Sequence, residues 1–478
     1  MLLDGDQCYR ALRTHDSRFD GRFFVGVQTT GIYCRPVCTA RTPNRDNCDF
    51  FPSAAAAEAG GFRPCLRCRP ELAPGYAVVD ANRRLAQSAA SLIEDGRLAD
   101  TRLPDLALAL GVTDRHLRRV FQLEFGVAPV EYAQTQRLLL AKRLLTDTDL
   151  PVLEVAMASG FASLRRFNHL FRTRYRMTPA ELRRNSPERG ASEQLEFDLA
   201  YRPPYDWDAM LAFLSRRAIP SVEHVEKSRY LRTVRIVAQG KTHTGWMSVT
   251  LSPRRSALRI TVSASLAGAL PVVLARAKHL LDLSCHPEEI AASLGGLADA
   301  HPGLRLPGAM DGFEVAVRAI LGQQVSVKAA TTLAGRFVGA FGDPITLQHP
   351  ALSRLFPASA TVAALDPAGI AVLGVVGVRA RAIVTLAREV ADGKLRLDTL
   401  SPLEPTLAAL QALPGVGPWT AQYIAMRALA WPDAFPHPDV AVLKAMGESS
   451  APRALRLSEA WRPWRAYAVL HLWKSLEA

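Results

Sequence analysis

No run of about 18 consecutive apolar residues occurs in the 478-residue chain, and the apolar segment near Leu270 to Leu274 stops at Arg276. Nothing is therefore long enough to cross a bilayer as a helix. The N-terminus, MLLDGDQC, lacks a basic stretch followed by an apolar one, which argues against export. An even set of cysteines is missing too. Seven of them, in a chain without an export signal, make a disulfide framework a poor explanation. Glycine (31) and proline (32) are not in excess, so a collagen-like or low-complexity chain is excluded. Acidic residues are in deficit, 45 against 58 Lys and Arg, for a net charge of +13. The expectation is a soluble chain of the cytoplasm with a polyanionic partner, although charge alone does not separate nucleic acid from a membrane surface. The length suits about three domains.

Five of the seven cysteines fall between residues 34 and 68. Cys34 and Cys38 form a C-x3-C pair, and Cys65 and Cys68 form a C-x2-C pair further on. Two such pairs let four thiolates converge on one ion, and an all-sulfur tetrahedral set favours Zn2+ over harder metals. Spacing alone favours a structural zinc knot that holds together a segment with little core. Cys8, Cys48 and Cys285 lie outside the pattern and read as small buried residues. The segments Thr30 to Cys38 and Gly61 to Pro70, with Phe23-Phe24 and Asn47 to Phe51, resemble the Ada-type methyl-accepting domain over residues 4 to 72. The resemblance implies that Cys34 accepts a methyl group from a DNA phosphotriester while Cys38, Cys65 and Cys68 complete the zinc site. Arg35, Arg63, Arg67 and Arg69 flank the cysteines and are candidates for phosphate contact, with ordinary surface charge as the alternative.

Residues 101 to 184 contain an internal repeat. Ala107 to Val112 matches Ala156 to Phe161 at an offset of 49, and Leu117 to Phe121 matches Phe167 to Phe171 at an offset of 50. Each copy reads as a short apolar helix, a glycine turn and a second helix, and a helix from Pro129 to Leu145 joins them. Here 14 Lys and Arg face 8 Asp and Glu. Arg115, Arg118 and Arg119 in one copy, and Arg165, Arg166 and Asn168 in the other, are the candidates for groove contacts. The duplication, with Phe161, Phe167, Phe171 and Pro179, resembles the AraC-type double helix-turn-helix domain. Sequence-specific binding of promoter DNA, with RNA polymerase as a further partner at the nucleoid, is what that resemblance implies. The polar, breaker-rich stretch from Asn185 to Glu193 reads as a linker.

The second half changes character. Leu195, Phe197 and Leu199 alternate with charged residues, as do Leu258, Ile260 and Val262, and Tyr230 to Val237 and Trp246 to Leu251 add two more strands. A helical segment from Asp206 to Arg217 lies between them, which gives an α+β subdomain. From about Leu280 onward the chain turns helical. Leu413-Pro414-Gly415-Val416-Gly417-Pro418 reads as a hairpin between two helices whose glycines, Gly415 and Gly417, expose backbone N–H groups to a phosphate. Trp419 and Tyr423 share a helix face. Asp439 reads by itself as the N-cap of a helix over 440–446.

Together with Tyr201 to Trp207, Arg318 to Gln323 and Trp464 to Tyr467, these residues resemble the AlkA-type 3-methyladenine DNA glycosylases II of the helix-hairpin-helix superfamily, over about 194 to 475. The resemblance implies that Asp439 is catalytic, that Trp419, Tyr423 and Trp473 line the base pocket, and that Gln324 occupies the wedge position where relatives often carry Leu. Trp419 stands where bifunctional relatives carry a nucleophilic Lys, so the implied enzyme is monofunctional, with no organic cofactor. No Pro-Cys-His-Arg motif follows the helix-turn-helix region, so the O6-alkylguanine methyltransferase module of many Ada-type proteins is absent.

The expected architecture is multidomain and mainly α, with α+β modules. It comprises a small four-cysteine zinc domain (1–75), a double helix-turn-helix domain (76–184), the linker (185–193), an α+β subdomain (194–303) and an all-α helix-hairpin-helix glycosylase domain (304–478). The corresponding function is repair of alkylated DNA combined with transcriptional activation, with a transcription factor carrying an inert glycosylase-like domain as the alternative. Two expectations are exposed to test by structure. Asp439 must share one recess with Trp419, Tyr423 and Trp473, and the two halves should be independent bodies on a flexible linker.

Overall fold

The computed structural model describes residues 5–73, 81–94, 102–148, 150–184, 193–238, 240–252, 255–399 and 401–477. Of the expected linker, only Glu193 belongs to the described residues. In the N-terminal module the helix Gly5–Arg13 packs Cys8, Ala11 and Leu12 onto Phe23, Val25 and Cys48. Four short strands, β1 (Phe24–Val27), β2 (Ile32–Cys34), β3 (Cys48–Phe51) and β4 (Arg63–Pro64), form a sheet in the order β3-β1-β2-β4. The parallel pairing of β2 with β4 sets Tyr33 against Pro64, so the two cysteine pairs leave the same end of the sheet.

The repeat is realised as two helix-turn-helix units. Leu103–Ala109 and Asp114–Phe125 form the first, Val152–Ala158 and Leu164–Tyr175 the second, and Pro129–Asp147 links them. The second helices start with equivalent caps. Thr113 accepts the N–H of His116, and Ser163 accepts that of Arg166, each satisfying a donor that the helix leaves unpaired. At the turns Gly111 and Gly160 have φ of +70° and +80°, a backbone that glycine adopts without strain. Leu117, Phe121 and Phe125 are buried in one unit, Phe167, Phe171 and Tyr175 in the other.

The second half opens with an antiparallel sheet of order β5-β9-β8-β7-β6, comprising β5 (Gln194–Ala200), β6 (Glu223–Glu226), β7 (Arg229–Ala238), β8 (Lys241–Leu251) and β9 (Ala257–Ser263). The alternation read in the sequence is the inward face: Leu195, Phe197 and Leu199 are buried in register with Val262, Ile260 and Leu258. The edge strand β6 is an addition, since its sequence EHVE carries no apolar alternation. Beyond it, helices including Gly312–Leu321, Val327–Phe341, Gly377–Ala391, Leu403–Ala412, Pro418–Arg427 and Arg465–Ser475 enclose one core around Ile320, Phe337, Ile383, Leu410, Ile424 and Val469. No helix among the described residues is long and apolar enough to cross a membrane.

The halves are not independent. One continuous core runs from Leu144 of the linking helix and Phe167 and Tyr175 of the second helix-turn-helix into Leu195, Phe197 and Ile260 of the sheet. Arg143 lays its guanidinium 4.2 Å from the Phe197 ring and donates to the Asp198 carbonyl at 3.4 Å. Arg22 pairs with Glu289 at 3.4 Å. The polar linker predicted a hinge because composition reports the connection and not the surfaces that it joins. A cavity of about 980 Å³ lies along this junction, lined by Gln87, Arg137, Arg276, His279 and Trp431 among others, and none of the expected pocket residues lines it. Cleavage at a protease site built into residues 185–192 should leave two pieces that co-elute in gel filtration at micromolar concentration. Separate peaks would contradict the shared core.

Candidate functional site

The sulfur cluster follows from the strand register. The N–H of Cys65 donates to the Tyr33 carbonyl at 3.0 Å, which brings Cys65 beside Cys34, and the short C-x3-C and C-x2-C turns return Cys38 and Cys68 to them. All four sulfurs lie within 4.8 Å of one another. Tetrahedral zinc with sulfur at about 2.3 Å places its ligands about 3.8 Å apart, so this donor set fits one Zn2+. Bonding within the set divides the thiols: bonding to Cys34 above all draws Cys38 down to about 7 and lowers Cys65, while bonding to Cys38 raises Cys34 and bonding to Cys34 raises Cys68. Cys38 and Cys65 are buried, and Cys34 and Cys68 are half-buried.

The arginines around the cluster divide. Arg35 is buried, donating its backbone N–H to Cys68 Sγ (3.3 Å), Nη1 to the Cys68 carbonyl (3.1 Å) and Nε to Asp20 (2.8 Å). Arg69 is tied to Glu71 (3.1 Å) and Asp147 (2.5 Å). Both are structural. Arg67 is exposed and Arg63 half-buried, so these two remain the candidates for phosphate contact. Next to Cys34, the Tyr33 hydroxyl donates to buried Glu58 at 3.0 Å, and Thr135 of the linking helix donates to the other Glu58 oxygen at 2.9 Å. Burial pushes the Glu58 carboxyl up to about 7. Sequence reasoning missed this bridge because Glu58 stands alone in an alanine run. The three remaining cysteines are buried. Cys285 is less bland than expected, since the Arg305 guanidinium donates to its sulfur.

Arg115, Arg118, Arg119, Arg165, Arg166 and Asn168 are all exposed on the second helices of the two units. Arg118 is bound by Asp114 at 2.9 Å, and Arg119 meets His116 at 3.3 Å, so a phosphate or base must compete with local partners for these two.

In the C-terminal half the hairpin joins Leu403–Ala412 to Pro418–Arg427. Gly415 turns the chain with φ of +86°, and Gly417 is the N-cap, with open space where a Cβ would stand. Two residues on, Trp419 donates its indole N–H to Asp439 Oδ2 at 2.7 Å. Trp473, from the last helix, donates to Oδ1 at 3.1 Å, and so does the N–H of Val442 at 3.0 Å. Asp439 is thus both the N-cap of Val440–Ala445 and the anion of an aromatic recess. Three donors face it, the partner set of a carboxylate that only accepts, and the residue remains half-exposed. Tyr423 stacks on Trp419 at 5.3 Å and 17°, and Trp473 lies 6.4 Å from Tyr423 at 40°. The structure therefore brings Asp439, Trp419, Tyr423 and Trp473 together in one place.

Four family models match the chain: the metal-binding domain of Ada (residues 7–71), a helix-turn-helix domain (106–185), the AlkA N-terminal domain (196–311) and the HhH-GPD superfamily of base excision DNA repair proteins (317–455). A Mycobacterium tuberculosis protein described as a probable bifunctional transcriptional activator/DNA repair enzyme AlkA is 40% identical over 489 residues, covering 99% of this chain and 97% of that one. The chain belongs to that family. Its second half is also similar to DNA-3-methyladenine glycosylase 2 of Escherichia coli, 38% identical over 277 residues that make up 58% of this chain and 96% of the relative. The first part is similar to the bifunctional transcriptional activator/DNA repair enzyme Ada of the same organism, 36% identical over 147 residues, 30% of this chain and 38% of the relative.

Several supports of the recess carried no signal in the sequence. Arg427, one turn after Tyr423, donates to its phenol oxygen at 2.8 Å and is itself held by the carbonyls of Pro307 (2.7 Å) and Gly308 (3.0 Å). Burial raises the Tyr423 phenol, but the positive charges of Arg427, Arg217 and Arg318 outweigh it and leave the group below its ordinary value. The loop that delivers Asp439 is pinned from both sides. Gln422 accepts the N–H of Phe435 at 3.0 Å, and Arg465 forms a two-pronged bond to Asp433 at 2.7 and 2.8 Å. Both partners of that ion pair are buried. Arg465→Met removes both prongs and leaves Asp433 only the exposed Arg462, at 3.1 Å, which should cost about 1.5–3 kcal/mol. All seven tryptophans lie beyond residue 200, so urea unfolding followed by indole fluorescence reads this half directly. An unchanged midpoint would contradict the assignment.

Proposed function

We propose that the chain is a DNA alkylation-repair protein and transcriptional regulator with two reacting centres. The observation that carries the enzymatic reading is the Asp439 carboxylate fixed by two indole N–H groups inside an aromatic recess. An alkylated purine such as 3-methyladenine carries positive charge and leaves its sugar readily. The Trp and Tyr faces attract such a ring by cation–π contact, about 0.5–2 kcal/mol each. The base must leave the duplex to arrive there. The hairpin of Gly415 and Gly417 grips the DNA backbone, and Gln324 enters the vacated stack. As the glycosidic bond breaks, electrons stay with the base and the sugar becomes cationic. Asp439 stabilises that charge and orients the water that adds to the sugar carbon. With Trp419 at the position of the lyase lysine, the reaction stops at an abasic site.

In the first half, Cys34, Cys38, Cys65 and Cys68 would hold one Zn2+, which would keep the Cys34 sulfur a thiolate at neutral pH. Cys34 attacks the methyl carbon of a DNA phosphotriester; the S–C bond forms, the C–O bond breaks, and the phosphodiester leaves with the electron pair. The protein surface then carries about one negative charge less beside DNA, which strengthens binding. The two second helices read the promoter, and the bound protein acts on RNA polymerase. Incubation of the full chain with methylated DNA tests both centres at once. Free alkylated purine in the supernatant and one added methyl on the Cys34 peptide are expected. Absence of free base would leave only a DNA-binding regulator.

A further inference from the structure

One side chain ties the loop after helix Gly312–Leu321 to the hairpin. Gln323 donates from Nε2 to the Gly415 carbonyl at 2.8 Å and to Thr420 Oγ1 at 2.9 Å. Gly415 is the turning residue of the hairpin, and Thr420, buried, directly follows Trp419 of the recess. The next residue in the loop, Gln324, has φ of +53° and an exposed side chain. A residue with a Cβ holds that left-handed backbone only where its surroundings enforce it, and the two bonds of Gln323 are an anchor on one side. On the other side Ser326 caps helix Val327–Phe341, accepting the N–H of Ala329 at 3.2 Å. Gln324 is thus exposed between two fixed points, one of them bonded to the hairpin.

We propose that Gln323 is a positioning residue for base extrusion, which sets the reach from the phosphate-gripping hairpin to Gln324. The inference rests on the reading of Gln324 as the residue that enters the base stack. One amide joins the three parts that must act together: the hairpin, the pocket helix and the projecting side chain. When the hairpin closes on the DNA backbone, the position of Gln324 along the duplex is fixed by these bonds and not by the flexibility of the loop. Misplacement by about 1 Å is enough for a large loss of rate. The loss is expected mainly on the extrusion step, because neither bond of Gln323 goes to Asp439 or to the two indoles that hold it.

The test uses Gln323→Met in the full chain, a side chain of similar length that donates nothing. Single-turnover release of one alkylated purine is measured in two duplexes, with the base paired and with the base in a one-nucleotide bulge, where extrusion costs little. The expected result is a loss of about ten-fold or more on the paired base and about two-fold or less on the bulged one. A 2-aminopurine beside the lesion should show a weaker fluorescence rise on mixing. Thr420→Val, which deletes one acceptor with little change in shape, should give a smaller loss of the same selectivity. Equal losses on both duplexes, or none on either, overturn the inference. Gln324→Ala separates the two layers: if it spares the paired substrate, the stack-entry reading itself fails, whereas a selective loss there with no effect of Gln323→Met removes only the role of Gln323.

Discussion

Asp439→Asn should reduce single-turnover release of 3-methyladenine by about 10³-fold while leaving duplex affinity and thermal stability nearly unchanged. The size follows from removing a preorganised charge at the atom where positive charge develops, an effect of about 10²–10³ even for a single donor or acceptor. Asn also presents an NH2 group to a site in which the indoles of Trp419 and Trp473 both donate, so one of these contacts becomes donor against donor. Stability is spared because Asn caps a helix as well as Asp does, and Val442 can still donate to the side-chain oxygen. This separation matters, since Asp439 is a real helix cap. If capping were its whole role, the variant would be fully active. Full activity therefore removes the catalytic assignment, and a parallel loss of activity and stability would trace the defect to folding.

Cys34→Ala should abolish methyl acceptance and the gain in operator affinity that follows it. In the wild-type chain, exposure to DNA with methyl phosphotriesters should add one methyl to the Cys34 peptide and raise operator affinity by about ten-fold, a usual coupling between two sites. The variant keeps Cys38, Cys65 and Cys68, and three protein ligands still hold zinc, so the module should remain folded by circular dichroism. Chelation is the contrasting case: the strands around the cluster, of two to four residues each, supply little core of their own. Removing the ion should therefore unfold the wild-type module. A methyl found on another cysteine of the set would contradict the assignment of Cys34. Methylation without any change in operator affinity would remove the switch while leaving the repair step.

Much of this was legible in the sequence because the signals are local or periodic. The cysteine pairs sit in short turns, so spacing alone predicted their convergence. Period-two alternation located Leu195, Phe197 and Leu199 on the inward face of β5. The repeat located both helix-turn-helix units, down to the inserted residue that shifts the cap from Thr113 to Ser163 by 50. Asp439 is different. Residue type and local pattern gave only a helix cap, and resemblance was needed to set it beside Trp419 and Trp473. The contacts that lay hidden are long-range and polar, such as Arg465 to Asp433, Arg427 to Pro307 and Gln323 to Gly415, because an isolated Arg or Gln looks the same at a solvated surface. For that reason the sequence presents Arg35 and Arg69 as candidates for phosphate, whereas Asp20 and Asp147 hold them. The docking of the halves was misread because the residues that join them, Arg143 and Phe197, belong to segments that each make sense alone.

The central claim is that Asp439 meets positive charge on the sugar of an extruded nucleotide. Its most direct measurement is binding of the full chain to two duplexes, one with a cationic pyrrolidine in place of the target sugar and one with a neutral abasic analogue. The wild-type chain should prefer the cationic duplex by about 10²-fold or more, as expected of a transition-state mimic, and Asp439→Asn should erase most of that preference. Equal affinity for the two duplexes, or a preference that survives in Asp439→Asn, would contradict the account.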